Sequence, residues 1–314
     1  MALQKIKSKK NTNKKSSSRD NLEYFLLALP AIILVFLFCY LPMYGIVIAF
    51  KNFNPNLGIW GSAWSGLKNF EFFFTSSDAI RVTRNTVLYN GTFIILDLIV
   101  AVTLALMFFN LRRRMSVMIY NTIVLLPKFL SAVLVAFIVY AFLNPMSGVL
   151  NQIIGMFGGD PTTDWYSKVE AWPFILTIVH MWQTVGMNSI LYYAALMGID
   201  VALFEAATID GAGKMRMIFH ICIPHLYSIM CITTILAVGS IFGGDFGLFY
   251  QVPRDVGILY PVTDIIPTFV FRGLQEGNMS ISAAVGLFQS LVGMILVIVT
   301  NLIVKKISPD NSLF

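Results

Sequence analysis

Charge is what this sequence most conspicuously lacks. Only 12% of its 314 residues are Asp, Glu, Lys or Arg, against about a quarter in a soluble domain. Hydrophobic residues make up 57% and aromatics 14%, and the mean hydropathy is +0.75. That shortage excludes a water-soluble globule as the bulk of the chain and leaves the bilayer as its solvent. Cysteine is scarce too. Cys39, Cys222 and Cys231 lie in or beside apolar stretches with no CxxC spacing, so neither a disulfide framework nor a zinc site is expected. They read as small apolar side chains. His180, His220 and His225 have no metal-ligand spacing, so local hydrogen bonding is expected of them and no metal. A convergent catalytic set is also missing, which excludes a membrane-bound enzyme.

What is present is organised along the chain. Residues 1–23 form a basic tail, with Lys5, Lys7, Lys9, Lys10, Lys14, Lys15 and Arg19 among serines and asparagines. It is too polar to fold alone and is expected to be disordered. A nucleic-acid arm is one reading; a topology signal beside the first span is the stronger one, and no nucleic-acid partner is expected. The apolar run that follows is too long for a cleaved signal and has no small-x-small cleavage site, so it reads as an uncleaved anchor.

Six runs are long enough to span a bilayer, which takes about 20 apolar residues: 24–50, 86–109, 117–143, 172–198, 227–250 and 281–304. Pro30, Pro42 and Pro127 fall inside them and predict kinks. With the N-terminus inside, the inner segments carry fourteen Lys and Arg and the longer outer segments seven. The positive-inside rule then places both termini and the 199–226 loop in the cytoplasm. The outer segment 66–85, with clustered Phe, predicts a helix lying on the outer interface. Trp165, Tyr166 and Trp172 are expected in the interfacial aromatic belt.

The stretch "IDGAGKMRMIF" (209–219) suggests a phosphate-binding loop, but G-x-x-x-x-G-K-[ST] would need glycine at Thr208 and a hydroxyl at Met215. Both ends fail and no strand precedes it, so this chain is not expected to bind a nucleotide. The wider window, 201–226, predicts an elbow instead. Ala202, Leu203, Ala206 and Ala207 favour a short helix. Asp210 would N-cap the next helix and Gly211 would permit the bend. Met215, Ile218, Phe219 and Cys222 recur at helical spacing, and Pro224 would close that second helix. Apolar knobs outside the bilayer, with Glu205 as a charge, suit docking to a soluble partner; a loop packed on its own bundle is the other reading.

This window resembles the EAA loop of permease subunits from binding-protein-dependent ABC importers, a signature running E-A-A, three residues, G, nine residues, I-x-L-P. Here Glu205-Ala206-Ala207, Gly211, Ile221 and Pro224 match, and Ile223 replaces the leucine. "YLPMYGIVIAFKNFNPNLGI", "GLKNFEFF" and "VKKISPDNSLF" look like the carbohydrate-uptake branch, most of all its oligosaccharide and polysaccharide permeases. The resemblance implies an all-α, six-span membrane bundle of the type I importer fold. An N-terminal transmembrane helix (24–50) precedes a five-helix core (82–304) and a cytoplasmic tail (305–314). It implies a multi-pass subunit of a bacterial inner membrane, paired with a second homologous permease and a cytoplasmic ATPase dimer that carries ATP and magnesium. An extracytoplasmic binding protein would deliver an oligosaccharide. Glu205 would meet the ATPase, Gly211 would set the bend, and Ala206 and Ala207 would allow close seating. The same machine for a peptide, phosphate or metal complex, and an ATP-independent channel or secondary transporter, are the alternatives.

For the solute path, two deep ionisable residues stand out, Asp97 and Lys128. Their matched depths suggest an ion pair; a cavity-facing Lys128 or purely local roles are the alternatives. Sugar recognition combines aromatic faces with amides and carboxylates. The pathway candidates are therefore Lys128, Trp182, Gln183, Met187, Asn188, Phe242, Asp245 and Tyr250. The competing reading for each aromatic is lipid contact or bundle packing. Gly239, Gly243, Gly244 and Gly247 predict close helix packing or local unwinding.

Overall fold

A computed structural model describes residues 18–111 and 113–307. The basic tail as far as residue 17, and the C-terminal tail beyond Ile307, lie outside the described residues.

The chain divides after Val47 into two units. In the first, α1 (Ser18–Val35) begins earlier than the expected Tyr24 and continues through a π turn (Phe36–Tyr40) into a 3-10 segment (Leu41–Phe50). Glu23–Phe50 is apolar and long enough to cross a membrane.

The second unit opens on a two-stranded hairpin, β1 (Lys51–Asn52) with β2 (Ala63–Trp64). Then follow α2 (Lys68–Thr75), α3 (Ser77–Phe109), α4 (Arg114–Leu125), α5 (Ala132–Leu143), α6 (Val149–Met156) and α7 (Trp172–Leu196). After them come α8 (Val201–Ile209), α9 (Lys214–Met217), α10 (Ile223–Gly239), α11 (Phe246–Gln251), α12 (Ile266–Gln275) and α13 (Met279–Ile307). α3 and α7 pack side by side more extensively than any other pair, and α13 packs against α10 and α12. α3 has 33 residues, about 50 Å, so it overshoots a hydrocarbon core of about 30 Å. The expected interfacial helix is thus only Lys68–Thr75; from Ser77 onward the 66–85 segment is the start of α3, capped by Ser76, whose side chain accepts from the Ala79 amide.

Two spans depart from expectation. The third is not one kinked helix: Met115–Phe129 and Ala132–Leu143 meet at 101°. Pro127 has no amide to give, a 3-10 turn (Leu126–Phe129) takes up the bend, and Ser131 Oγ caps α5 by accepting from the Leu134 amide. Gly186 seats α4 on α7 with no room for a Cβ, which would lie 2.0 Å from the Val124 carbonyl oxygen. The fifth span lies earlier than 227–250, because one helical run covers Lys214–Gly239. Pro224 does not close a helix there. A π turn (Ile218–Cys222) just ahead of it, with the Ile223 amide bonding back to the Ile218 carbonyl, opens the ladder where the proline donor is missing. The span ends at Gly239, whose Cβ would meet Val297, and the chain then unwinds through Gly244 at φ +57°. Both uses foreseen for these glycines occur.

The aromatic belt is also corrected. Trp172 is fully buried and Tyr166 nearly so, in a core with Phe93, Leu176, Phe249 and Leu259. Trp172 Nε1 donates to the Trp165 carbonyl, and Trp165 Nε1 donates to Asn151 Oδ1. These aromatics bind the 157–171 loop to the bundle rather than facing lipid.

Candidate functional site

The elbow between α7 and α10 is built from local rules. Asp200 starts α8 by accepting from the Ala202 amide at 3.0 Å. At the other end, the Ala212 amide donates to the Ala207 carbonyl (2.9 Å) and the Gly211 amide to the Thr208 carbonyl (3.1 Å), with Gly211 at φ +74°. This left-handed closure satisfies the last carbonyls and turns the chain. Asp210 is therefore the C-terminal cap of α8 and not the N-cap of the next helix, whose cap position is Gly213. Phe204 ties the elbow to the end of α3 by packing on Phe109, rings 5.6 Å apart. The outer face is left bare: Val201, Leu203, Ile209, Met215 and Phe219 are all more than half exposed, and Ile209 is 87% exposed. Glu205 and Ala206 are exposed on the same elbow and Ala207 is partly covered. Ile221 points back into the bundle beside Cys222 and Leu226.

Within the bundle, α3, α7 and α10 line a partly open cavity of about 230 Å³. Asn90 and Asp97 come from α3, His180, Asn188 and Tyr192 from α7, and Thr233 and Thr234 from α10, with Ser240 at its end. Asp97 is not paired with Lys128. Its Oδ2 lies 3.2 Å from His180 Nε2, and its Oδ1 accepts from Thr184 Oγ1 at 2.9 Å. The His180 ring stacks on Phe93 at 3.8 Å, and its Nδ1 is buried without a partner. Tyr192 Oη and Thr233 Oγ1 share a hydrogen bond of 2.8 Å, joining α7 to α10.

Of the eight pathway candidates, only Asn188 lines this cavity. Lys128 sits in the break between α4 and α5, exposed, with no carboxylate in ion-pairing range among the described residues. Trp182 lines an apolar recess with Ile138, Phe142 and Val179. Gln183 and Met187 are not in the cavity lining; Met187 is half exposed. Phe242 packs edge-on to Phe288. Asp245 caps α11 by accepting from the Leu248 amide, and Tyr250 stacks on Phe246. The lining residues missed from sequence carry a readable signal. Asn90, Ile94 and Asp97, and likewise Thr233, Ala237 and Ser240, recur at helical spacing.

A second polar centre, unforeseen, lies at the end of the bundle away from the elbow. The side chain of Asp264 is fully buried and accepts from Arg81 Nη2 (2.8 Å), Thr268 Oγ1 (2.8 Å) and Arg272 Nη2. Arg272 also meets Asp255 at 3.0 Å and stacks over Tyr260. Burial alone would lower the Arg272 pKa, but the Asp264 charge and hydrogen bond raise it, so the guanidinium stays charged. Burial pushes the nearby Tyr166 hydroxyl up to about 12, and it donates to the Val252 carbonyl.

A multi-pass helical bundle with two of its long helices joined by a bare elbow is the architecture of a transporter's membrane subunit. The family of binding-protein-dependent transport system inner membrane components matches residues 97–310, and the chain belongs to it. It is thus the permease component of an importer rather than an enzyme. It is 32% identical over 293 residues to LplB of Bacillus subtilis (strain 168), covering 91% of this chain and 90% of that one. It is 33% identical to the polygalacturonan/rhamnogalacturonan transport system permease YteP of the same organism, covering 91% and 89%. The solved bacterial ABC transporter for import of the acidic polysaccharide alginate contains a chain that superposes with a TM-score of 0.84 at 31% identity, covering 93% of this chain and 97% of that one.

Proposed function

We propose that this chain forms half of the membrane pathway of an ATP-driven oligosaccharide importer in a bacterial inner membrane. Its termini and elbow face the cytoplasm. A second, homologous permease supplies the other half, and a binding protein on the outside delivers the sugar. The observation that carries this reading is the elbow: five large apolar side chains held bare on a turn closed by Gly211. They need a soluble partner to cover them. An ATPase dimer with its own ATP and magnesium fits, with Glu205 offered to a basic residue on it and Ala206 and Ala207 allowing close approach. Lys128 is too costly to leave in lipid and faces the second subunit or water.

Sugar as the solute rests on the relatives: one permease is named for polygalacturonan and rhamnogalacturonan, another for arabinooligosaccharides, and the solved neighbour imports alginate. A relative named for sn-glycerol-3-phosphate is 28% identical, below the 33% of the polygalacturonan/rhamnogalacturonan permease though above the 26% of the arabinooligosaccharide one. The test is uptake of labelled oligosaccharides by a deletion strain complemented with wild type, Glu205→Lys or Gly211→Pro. Wild type should restore uptake and both variants should lose it while still reaching the membrane. A deletion with no oligosaccharide-uptake defect removes the sugar assignment, and normal uptake by both variants removes coupling through the elbow.

A further inference from the structure

We infer that the recess between the outer ends of α3 and α7 holds one anionic glycerophospholipid, its headgroup on Arg84 and its acyl chains along the helices; this rests on the topology proposed above, which puts the start of α3 outside. Three features lead there. The first is the layout of the walls. Arg84, Leu88 and Leu96 lie on one face of α3 at multiples of four residues, and Phe174 and Ile178 face them from the start of α7. Arg84 and Leu96 are twelve residues apart, about 18 Å along a helix, and one leaflet of hydrocarbon is about 15 Å deep. The recess thus runs from a cation at the interface down the depth of a single leaflet. Its volume is about 590 Å³. A helix about 10 Å across would fill about 1,400 Å³ over that length, so a partner helix can cross the recess but not occupy it. Ile178 also lines a second apolar recess of about 450 Å³ between α5 and α7, so the two chains of one lipid can lie on either side of that side chain.

The second feature is the state of Arg84. Its Nε and Nη2 donate to Asn85 Oδ1 at 3.4 and 3.2 Å, and Nη2 to the Pro261 carbonyl at 3.3 Å. These are long bonds to neutral acceptors, and no carboxylate is in ion-pairing range among the described residues. Arg81 and Arg272, by contrast, each hold two carboxylates. A planar fork of five N–H donors matches a phosphate. The lining has no Asp or Glu, so a headgroup ammonium would go unmet and an anionic headgroup is preferred. The third feature is Tyr89, on the same wall. It is 8% exposed, and its hydroxyl is buried with no hydrogen-bond partner, a costly state. It stands five residues below Arg84, about 7.5 Å. That is the order in which a glycerophospholipid presents its phosphate and then its ester carbonyls. The guanidinium takes the phosphate and the phenol donates to an ester carbonyl.

The test uses the assembled transporter in nanodiscs of phosphatidylcholine with a minor fraction of phosphatidylglycerol that carries a diazirine in its acyl chain. After irradiation, labels on this chain should concentrate around Leu88, Leu96, Phe174 and Ile178, above the half-exposed apolar stretch of α13 around Met294 and Ile295. Unlabelled phosphatidylglycerol should displace them better than phosphatidylethanolamine does. Arg84→Gln should cut recess labelling at least about tenfold, as for a lost charge-assisted bond, and Tyr89→Phe about fivefold, as for a lost neutral one. Labelling of α13 should not change, and Arg84→Lys should keep most of the recess labelling. Labels no denser in the recess than on α13, or unchanged by both Arg84→Gln and Tyr89→Phe, would overturn the site. Equal displacement by the two lipids would overturn the anionic preference. Ile178→p-benzoylphenylalanine that crosslinks to the companion permease, with no lipid label in the recess, would put a partner helix there and overturn the proposal as well. The topology fails separately. Asn56→Cys, in a chain with Cys39, Cys222 and Cys231 replaced by alanine, should react with an impermeant maleimide on intact spheroplasts; reaction only after lysis would overturn the outer placement of α3 instead.

Discussion

Asp264→Asn probes the buried centre at the end away from the elbow. The native carboxylate has no exposed surface and takes hydrogen bonds from two guanidiniums and Thr268. The amide keeps the shape, but it removes the charge and turns an NH₂ toward Arg81 or Arg272. Breaking a buried ion pair on one side costs about 3–5 kcal/mol, because the remaining charge is left uncompensated. Here each arginine keeps a second carboxylate, Asp78 at 2.8 Å and Asp255 at 3.0 Å, and Arg81 is 29% exposed. The loss should therefore sit at the low end, about 3 kcal/mol. Asp78→Asn is the control. Its pair with Arg81 is solvent-exposed at one turn's spacing and is worth about 0–1 kcal/mol. The assay is the fraction of detergent-solubilised transporter that stays monodisperse after heating, read by fluorescence-detected size exclusion. Asp264→Asn should fall apart well before Asp78→Asn. Equal behaviour of the two would mean that the buried network contributes no more than a surface pair, and the reasoning would fail.

Gly186→Ala puts a methyl 2.0 Å from the Val124 carbonyl oxygen, a backbone atom that cannot rotate away. It should cost at least about 1–3 kcal/mol, whereas Gly91→Ala, with nothing within 4 Å, should gain up to about 1 kcal/mol of helix propensity; matched folded yields would contradict this. Gly211→Ala meets no neighbour and should pay only the left-handed backbone cost of about 1–2 kcal/mol, keeping most transport. Gly211→Pro cannot reach φ +74° and loses the bond to Thr208, so uptake should vanish at unchanged membrane levels. The exchange Asp97→Lys with Lys128→Asp should not rescue either single variant, since Asp97 is held by His180 and Thr184; partial rescue would restore the direct pair.

The spans and the elbow were legible because they rest on local signals: apolar length, loop charge, and a glycine at an obligatory bend. Span ends were less so. Composition cannot tell that Pro127 breaks a span while Pro224 is absorbed by a π turn, since the difference lies in the backbone just ahead of each. Asp97 is costly in lipid and its depth matches that of Lys128, but matched depth leaves a pair, a cavity-facing Lys128 and local roles equally open. Which faces of α3 and α7 meet decides the partner, and that is tertiary information. Trp165, Tyr166 and Trp172 misled for the same reason: an aromatic near a span end serves a lipid belt or a packed loop equally well until its neighbours are known.

The cavity and the elbow share two helices, and this links the two sites mechanically. α7 carries His180, Asn188 and Tyr192, then leads into the elbow; α10 leaves the elbow and carries Thr233, Thr234 and, at its end, Ser240. Between the two sites lies a close-packed core of Ala101, Ala105, Tyr192, Leu196, Cys222 and Leu226, and such cores move as a body rather than compress. The Tyr192–Thr233 bond fastens α7 to α10 at the cavity itself. Ala101 and Ala105 belong to α3, and Phe204 packs on Phe109 at the α3 end, so this core ties the elbow to all three helices around the cavity. The Asp97 contacts to His180 and Thr184 join α3 to α7 again at the cavity wall.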